Sequence, residues 1–149
     1  MTDKWSLRFL ELAQLVATWS KDPITKVGAV IADPYSHRVI SLGYNGFPRD
    51  VQDLSERYAD RETKLNLVVH AERNAIMASL GDTSGADMFL THPPCNDCAK
   101  LIVQSGISRV VWPEDFIPFS TFEKTWPWTK LMLKEAGVET PGFDIRRVK

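Results

Sequence analysis

The sequence has only two cysteines among 149 residues, and no apolar run approaches the ~20 residues that a bilayer-spanning helix needs. A disulfide framework and a helical membrane span are therefore not expected. Charge of one sign is also lacking. Eighteen Lys and Arg against nineteen Asp and Glu leave a formal net charge of −1, so no global field draws the chain to nucleic acid or an anionic membrane. A local group of Lys and Arg can still serve a small anion. Met1 to Trp5 lack the basic-then-apolar layout of a signal peptide, which sets the expectation of a cytoplasmic protein. There is no internal repeat, low-complexity tract or linker. Residues 1–149 are read as one domain, large enough for a single continuous core.

What is present is a clear alternation of helix and strand patterns. Trp5, Phe9, Leu12, Val16 and Trp19 recur at helical spacing, predicting a first helix over about 4–19 with those residues toward the core. Val27 to Ala32 reads as a strand, Asp33 to His37 as a turn, and Arg38 to Leu42 as the returning strand of a hairpin. Gly43 to Pro48 breaks the pattern and opens a polar loop running to about Asn66. Val68 to Leu80 reads as a short entry and a buried helix, with Ala71, Ala75, Ile76 and Leu80 on its apolar side. Then follow a strand at Met88–Leu90, a helix at Cys98–Gln104, a strand at Arg109–Trp112 and a helix near Trp128–Ala136. A last strand is read at Phe143–Val148. This order predicts an α/β protein of three layers, a mixed sheet between helices, with the later strands parallel.

Two segments carry the chemistry. His70-Ala71-Glu72 is followed 25 residues after the histidine by Cys95, the first cysteine of Pro94-Cys95-Asn96-Asp97-Cys98. One imidazole and two thiolates make three good zinc ligands and leave the fourth tetrahedral position open. A structural site closes all four, and there is no third cysteine to close this one. Both segments sit where a helix is expected to begin, and the positive end of a helix favours thiolates. Zinc lowers the pKa of a bound water to about 7, supplying hydroxide at neutral pH. Glu72, two residues past His70, is placed near the metal without having to be a ligand. It can act as acid and base in turn. The combined pattern matches the known signature of zinc-dependent deaminases. His92 lies near Cys95 at a strand end, and the sequence does not say which side it faces. His37 falls in a turn and is expected to be solvated.

With these residues in view, the chain resembles the deoxycytidylate (dCMP) deaminases of the cytidine deaminase superfamily over about Leu10 to Gly137. The supporting stretches are Ser20-Lys21-Asp22-Pro23, Lys26 to Ile31, Gly43-Tyr44-Asn45-Gly46-Phe47-Pro48-Arg49, Val69 to Ile76, and Pro94 to Lys100. The Gly43–Arg49 segment points to the dCMP branch. The resemblance implies a five-stranded sheet flanked by helices, one zinc on His70, Cys95 and Cys98, and Glu72 as proton shuttle. It implies conversion of dCMP and water to dUMP and ammonia, feeding thymidylate synthesis. Asn45, Ala71, Arg49 and Lys26 become candidate substrate contacts, with Asn45 on the sugar hydroxyl and Arg49 or Lys26 on the phosphate. It further implies an oligomer, a hexamer being favoured, with dCTP and dTTP as effectors at a loop of Gly43, Tyr44, Asn45 and Gly46.

The chain departs from the family in three places. Asp50 stands where the family often has glycine. Some relatives carry a second, structural zinc in the loop before the His-x-Glu motif, and residues 50–69 here hold no Cys or His for one. Phe122 to Thr129, with Trp126-Pro127-Trp128, matches no general pattern. Two rival readings remain at this level. One is a deaminase for another substrate, whether a nucleoside, a purine base or tRNA adenosine, although near-zero charge disfavours tRNA. The other is a zinc-stabilised binding module without turnover, against which Glu72 argues. A thiol redox protein would leave His70 and Glu72 unexplained.

Overall fold

The structure, a computed structural model, describes residues 3–115 and 122–144. Its elements in chain order are α1 (Asp3–Ala17), β1 (Gly28–Ala32), β2 (Val39–Tyr44), α2 (Ser55–Ala59), α3 (Arg61–Leu67) and α4 (Ala71–Ala78). They continue with β3 (Asp87–Leu90), α5 (Asn96–Gln104), β4 (Arg109–Pro113), α6 (Trp126–Glu135) and β5 (Gly142–Phe143). The strands form one sheet in the order β2-β1-β3-β4-β5. β1 runs antiparallel to both β2 and β3, while β3, β4 and β5 are parallel.

β1 and β3 are apolar at nearly every position because both faces of the sheet are covered. Side chains alternate between the faces. Ala29, Ile31, Met88, Leu90 and Val110 join Ala71 and Ala75 of α4, Ala99 and Ile102 of α5, and Leu133 of α6 in one core. Val30, Ala32, Phe89 and Val111 join Phe9, Leu10 and Ala13 of α1 in the other. The result is the expected three-layer α/β arrangement around a mixed sheet. α4 is stitched to β2 by hydrogen bonds from Ser41 Oγ to the Ala75 carbonyl and from Asn74 Nδ2 to the Tyr44 carbonyl, each 2.7 Å.

Several expectations from the sequence need correction. Trp19 does not face the core: α1 ends at Ala17, the chain turns, and Trp19 lies exposed, edge-on to Tyr44. Leu80 falls beyond the end of α4, with φ of 51°, and is fully exposed. Gly43 and Tyr44 are the last residues of β2, not the opening of a loop. The span read as a polar loop contains two short helices, α2 and α3. Both are too short for periodicity to reveal; α2 is held by buried Tyr58 stacked on Phe47, and α3 by its Asp60 cap and the Lys64–Asp22 ion pair. Asp50, at the family's glycine position, has φ of 66°, a left-handed conformation that glycine favours and Asp tolerates. His37 also has a positive φ, of 58°, and stacks on Trp5 with ring centroids 4.4 Å apart. Of the last strand expected at Phe143–Val148 only Phe143 is in a strand, Gly142–Phe143; Asp144 is not, and 145–148 lie outside the described residues.

Candidate active site and metal centre

His70 is the residue before α4 and Cys95 the residue before α5, so the N-termini of both helices converge on one point. Cys95 is carried there by the loop that leaves the end of the parallel strand β3, the usual location for sites in such sheets. His70 Nδ1 lies 3.4 Å from the sulfurs of both Cys95 and Cys98. All three donor atoms fall within 4.8 Å of one another, and no other such cluster occurs among the described residues. A tetrahedral zinc with ligands at about 2.3 Å (S) and 2.0–2.1 Å (N) sets sulfur and nitrogen roughly 3.5 Å apart, so the geometry fits that ion.

The electrostatics agree. The Cys98 thiol donates to Cys95, and with help from His70 and the Cys98 amide this lowers the Cys95 pKa to about 4. Cys98 is pushed upward by that same thiolate and by burial. His70 is raised, chiefly through its contact with Cys95. A pair of thiols that can ionise only once by itself, next to an imidazole, is a donor set that a dication would fully ionise. Glu72 is buried within the first turn of α4, and burial drives its carboxyl upward. It touches Cys98 without joining the three-donor cluster.

The centre opens into a cleft of about 520 Å³. Its lining comes from several stretches of the chain. His70, Ala71 and Glu72 belong to the start of α4, and His92, Pro93 and Cys95 to the β3–α5 loop. Asp22, Ile24, Thr25 and Val27 come from the segment ahead of β1, with Asn45 beside them. Tyr58, Arg61, Lys64 and Leu65 come from α2 and α3, and Phe122 stands beside His70 with ring centroids 6.4 Å apart.

The substrate candidates separate on this map. Asn45 and Ala71 line the cleft. The Asn45 side chain accepts from the Val27 amide at 2.8 Å and donates to the Thr25 carbonyl at 2.8 Å, so it shapes the wall as well as facing the cavity. Arg49 is exposed and Lys26 donates to the Ser20 carbonyl; neither lines the cleft. Gly43 and Tyr44 are strand residues, and Gly46 pairs with Val69 through two backbone hydrogen bonds of 3.1 and 2.8 Å.

Reading the sequence missed Asp22, Tyr58, Arg61, Lys64 and Phe122 as cleft residues, and left the side of His92 open. Arg61 and Lys64 fell in the span read as a polar loop, where α3 is too short for helical spacing to mark a shared face. Phe122 lies in the segment without a family match and offered none. His92 lines the cleft, its Nδ1 2.7 Å from Thr91 Oγ1, and burial lowers its pKa.

Three metal donors beside a buried carboxylate, with His70, Cys95 and that carboxylate lining a cleft of ligand size, define a zinc-dependent hydrolytic deaminase. The chain belongs to the family of the cytidine and deoxycytidylate deaminase zinc-binding region, which residues 3–114 match. It is 43% identical over 150 residues to an uncharacterized deaminase in the luxG 3' region of Aliivibrio fischeri, covering 100% of both chains. It is 38% identical over 141 residues to the deoxycytidylate deaminase of Mus musculus, covering 91% of this chain and 77% of that one. The crystal structure of dCMP deaminase from cyanophage S-TIM5 with dCMP and dUMP shares the fold. Its TM-score is 0.74 at 24% identity, covering 95% of this chain and 98% of that one.

Proposed function

We propose that this protein hydrolyses dCMP to dUMP and ammonia. The observation that carries the reading is Glu72, a buried carboxylate set against an open three-donor metal site inside a cleft. The relationship to the mouse deoxycytidylate deaminase supports the choice of base and nucleotide. His70, Cys95 and Cys98 would hold one zinc ion, whose Lewis acidity brings water to a reactive pKa near 7. The chain's own residues do the rest. Glu72 takes a proton from the attacking water and delivers it to N3 of the cytosine as the water oxygen bonds to C4. It then takes the proton of the new C4 hydroxyl and carries it to N4; the C4–N4 bond breaks as the C4 carbonyl forms, and ammonia leaves. Burial raises the affinity of Glu72 for a proton, which suits it to hold one between these steps.

Asn45 and Ala71 act at the sugar and base, Asn45 partly by fixing the Thr25–Val27 wall. Of the phosphate contacts expected from the sequence, Arg49 and Lys26 would need to move to reach the cleft. Gly43, Tyr44, Asn45 and Gly46 as a dCTP and dTTP effector region, assembly as a hexamer, a single domain over 1–149 and residence in the cytoplasm belong to the same proposal. No helix among the described residues is long and apolar enough to cross a membrane.

The test is ammonia release by the zinc-loaded protein with dCMP, CMP, deoxycytidine and dCTP compared. A kcat/KM for dCMP well above the other three is the expected result. Preference for deoxycytidine, or no turnover of any of the four, would reject it.

A further inference from the structure

A nucleotide brings two negative charges on its phosphate, and some cation in the cleft has to meet them. Among the described residues that line the cleft, Arg61 and Lys64 are the only Arg or Lys side chains. They lie three apart on α3, so they share a face of that helix. The chain runs from α3 directly through Val68 and Val69 to His70, which ties their position to the metal centre.

Lys64 is held in a particular way. Its ammonium lies 2.6 Å from Asp22 Oδ2, with the Lys64 side chain 16% exposed and that of Asp22 0% exposed. The other Asp22 oxygen, Oδ1, accepts from the amides of Ile24 at 2.9 Å and Thr25 at 3.0 Å. An ammonium has three donors, and Asp22 occupies one direction. A lysine fixed at one side by a buried carboxylate, with donors left over toward a cavity, is pre-organised for a second anion. Arg61 is exposed at the rim and supplies the planar fork suited to phosphate oxygens.

On this basis, and resting on the dCMP reading above, we infer that Arg61 and Lys64 form the subsite for the 5'-phosphate. Asp22 is the positioning residue for Lys64. It orients Lys64 and, through Ile24 and Thr25, fixes the wall that Asn45 also holds. Specificity for a nucleotide over a nucleoside then resides in α3, a helix that contributes nothing to the metal site.

The experiment compares dCMP with deoxycytidine for the zinc-loaded wild type, Arg61→Ala, Arg61→Lys and the double variant Asp22→Asn/Lys64→Met. The double variant is used because Lys64→Met alone would strand a buried carboxylate. Arg61→Ala should lower kcat/KM for dCMP by about 10- to 100-fold, mainly through KM, since a lost charge-assisted contact remote from the reacting atoms acts on binding. Deoxycytidine turnover should stay unchanged, and Arg61→Lys should recover part of the loss. The double variant should show the same selective loss on dCMP. A wild type that prefers dCMP, with variants that keep its preference, would overturn the subsite alone and return the role to Arg49 or Lys26. A wild type indifferent to the phosphate would overturn the subsite and the dCMP reading together.

Discussion

Gly43 and Gly46 sit three residues apart in one short motif, yet the structure gives them opposite tolerances. A Cβ on Gly43 would lie 2.2 Å from the Ala71 carbonyl oxygen, 2.4 Å from the Ala75 nitrogen and 2.9 Å from the Ala75 Cα. All three atoms are backbone of α4. A comfortable carbon contact needs roughly 3.5 Å, so α4 would have to withdraw by about 1 Å. β2 cannot retreat instead, because Gly43 is in register with Ala29 of β1 and the ladder would break. Overpacking of this kind costs about 1–3 kcal/mol and sometimes more; with backbone on both sides, Gly43→Ala should cost roughly 3 kcal/mol. The displaced helix carries Glu72 and begins beside His70, and a 1 Å misplacement can cost about 10²-fold in rate. A Cβ on Gly46 meets nothing within 4 Å, and its φ is not left-handed. Gly46→Ala should therefore change stability by less than about 0.5 kcal/mol. Urea unfolding of both variants, zinc-loaded in one buffer, with kcat measured by ammonia release, checks the pair. An unchanged midpoint for Gly43→Ala would refute the packing argument. Equal damage from Gly46→Ala would show that the motif is read by a ligand rather than by α4.

Three further outcomes follow from the site. Glu72→Gln should keep zinc, measured by elemental analysis, and lose about 10²–10⁴-fold in kcat; metal lost along with activity would make Glu72 structural. Cys95→Ser should lose zinc and, with it, the stabilisation of about 2.7 kcal/mol that zinc at a hundred times its Kd provides. Full zinc occupancy would remove Cys95 from the ligand set. Burial pushes Asp22 up, but Lys64 and the Ile24 and Thr25 amides outweigh it and leave the carboxyl below its ordinary range. A depressed folded value contributes stability that is present above the unfolded value of about 3.9 and lost as pH falls through the folded one. Asp22→Asn should therefore be less stable at neutral pH by about 2 kcal/mol and show a flatter loss of stability into acid. An acid limb parallel to wild type would exclude Asp22 as a contributor.

The metal centre was the most legible part of this chain because it is local. His70 with Glu72, and Cys95 with Cys98, each lie within one helical turn, and only the distance between the two segments had to be closed by the fold. The central strands were legible for a related reason: burial on both faces leaves continuous apolar runs such as Ala29–Ala32. The cleft was not legible in the same way. Its outer wall is built from α2 and α3, whose 5 and 7 residues are too few to show an amphipathic period. Its charged pair, Asp22 with Lys64, joins residues 42 apart, and each alone reads as solvated surface. Arg49 and Lys26 were favoured from motif membership, which carries no information about the direction of a side chain. Trp19 and Leu80 misled for a simpler reason, since both lie just past a helix end where the periodic rule no longer holds.

The two cores on opposite faces of the sheet divide the protein's obligations by parity. On β1, Ala29 and Ile31 face the layer that carries the metal ligands, while Val30 and Ala32 face α1. On β3 the same division places Met88 and Leu90 against Phe89, and on β4 it places Val110 against Val111. The metal ligands and Glu72 lie in or directly before α4 and α5, which pack on one face, and α1 with its half of the core supports the sheet from the other. Adjacent residues on a single strand thus serve different ends, one the placement of chemistry and the next the persistence of the fold. The sheet acts as a partition, so volume-conserving changes on the α1 side should be felt as stability well before they are felt by the catalyst.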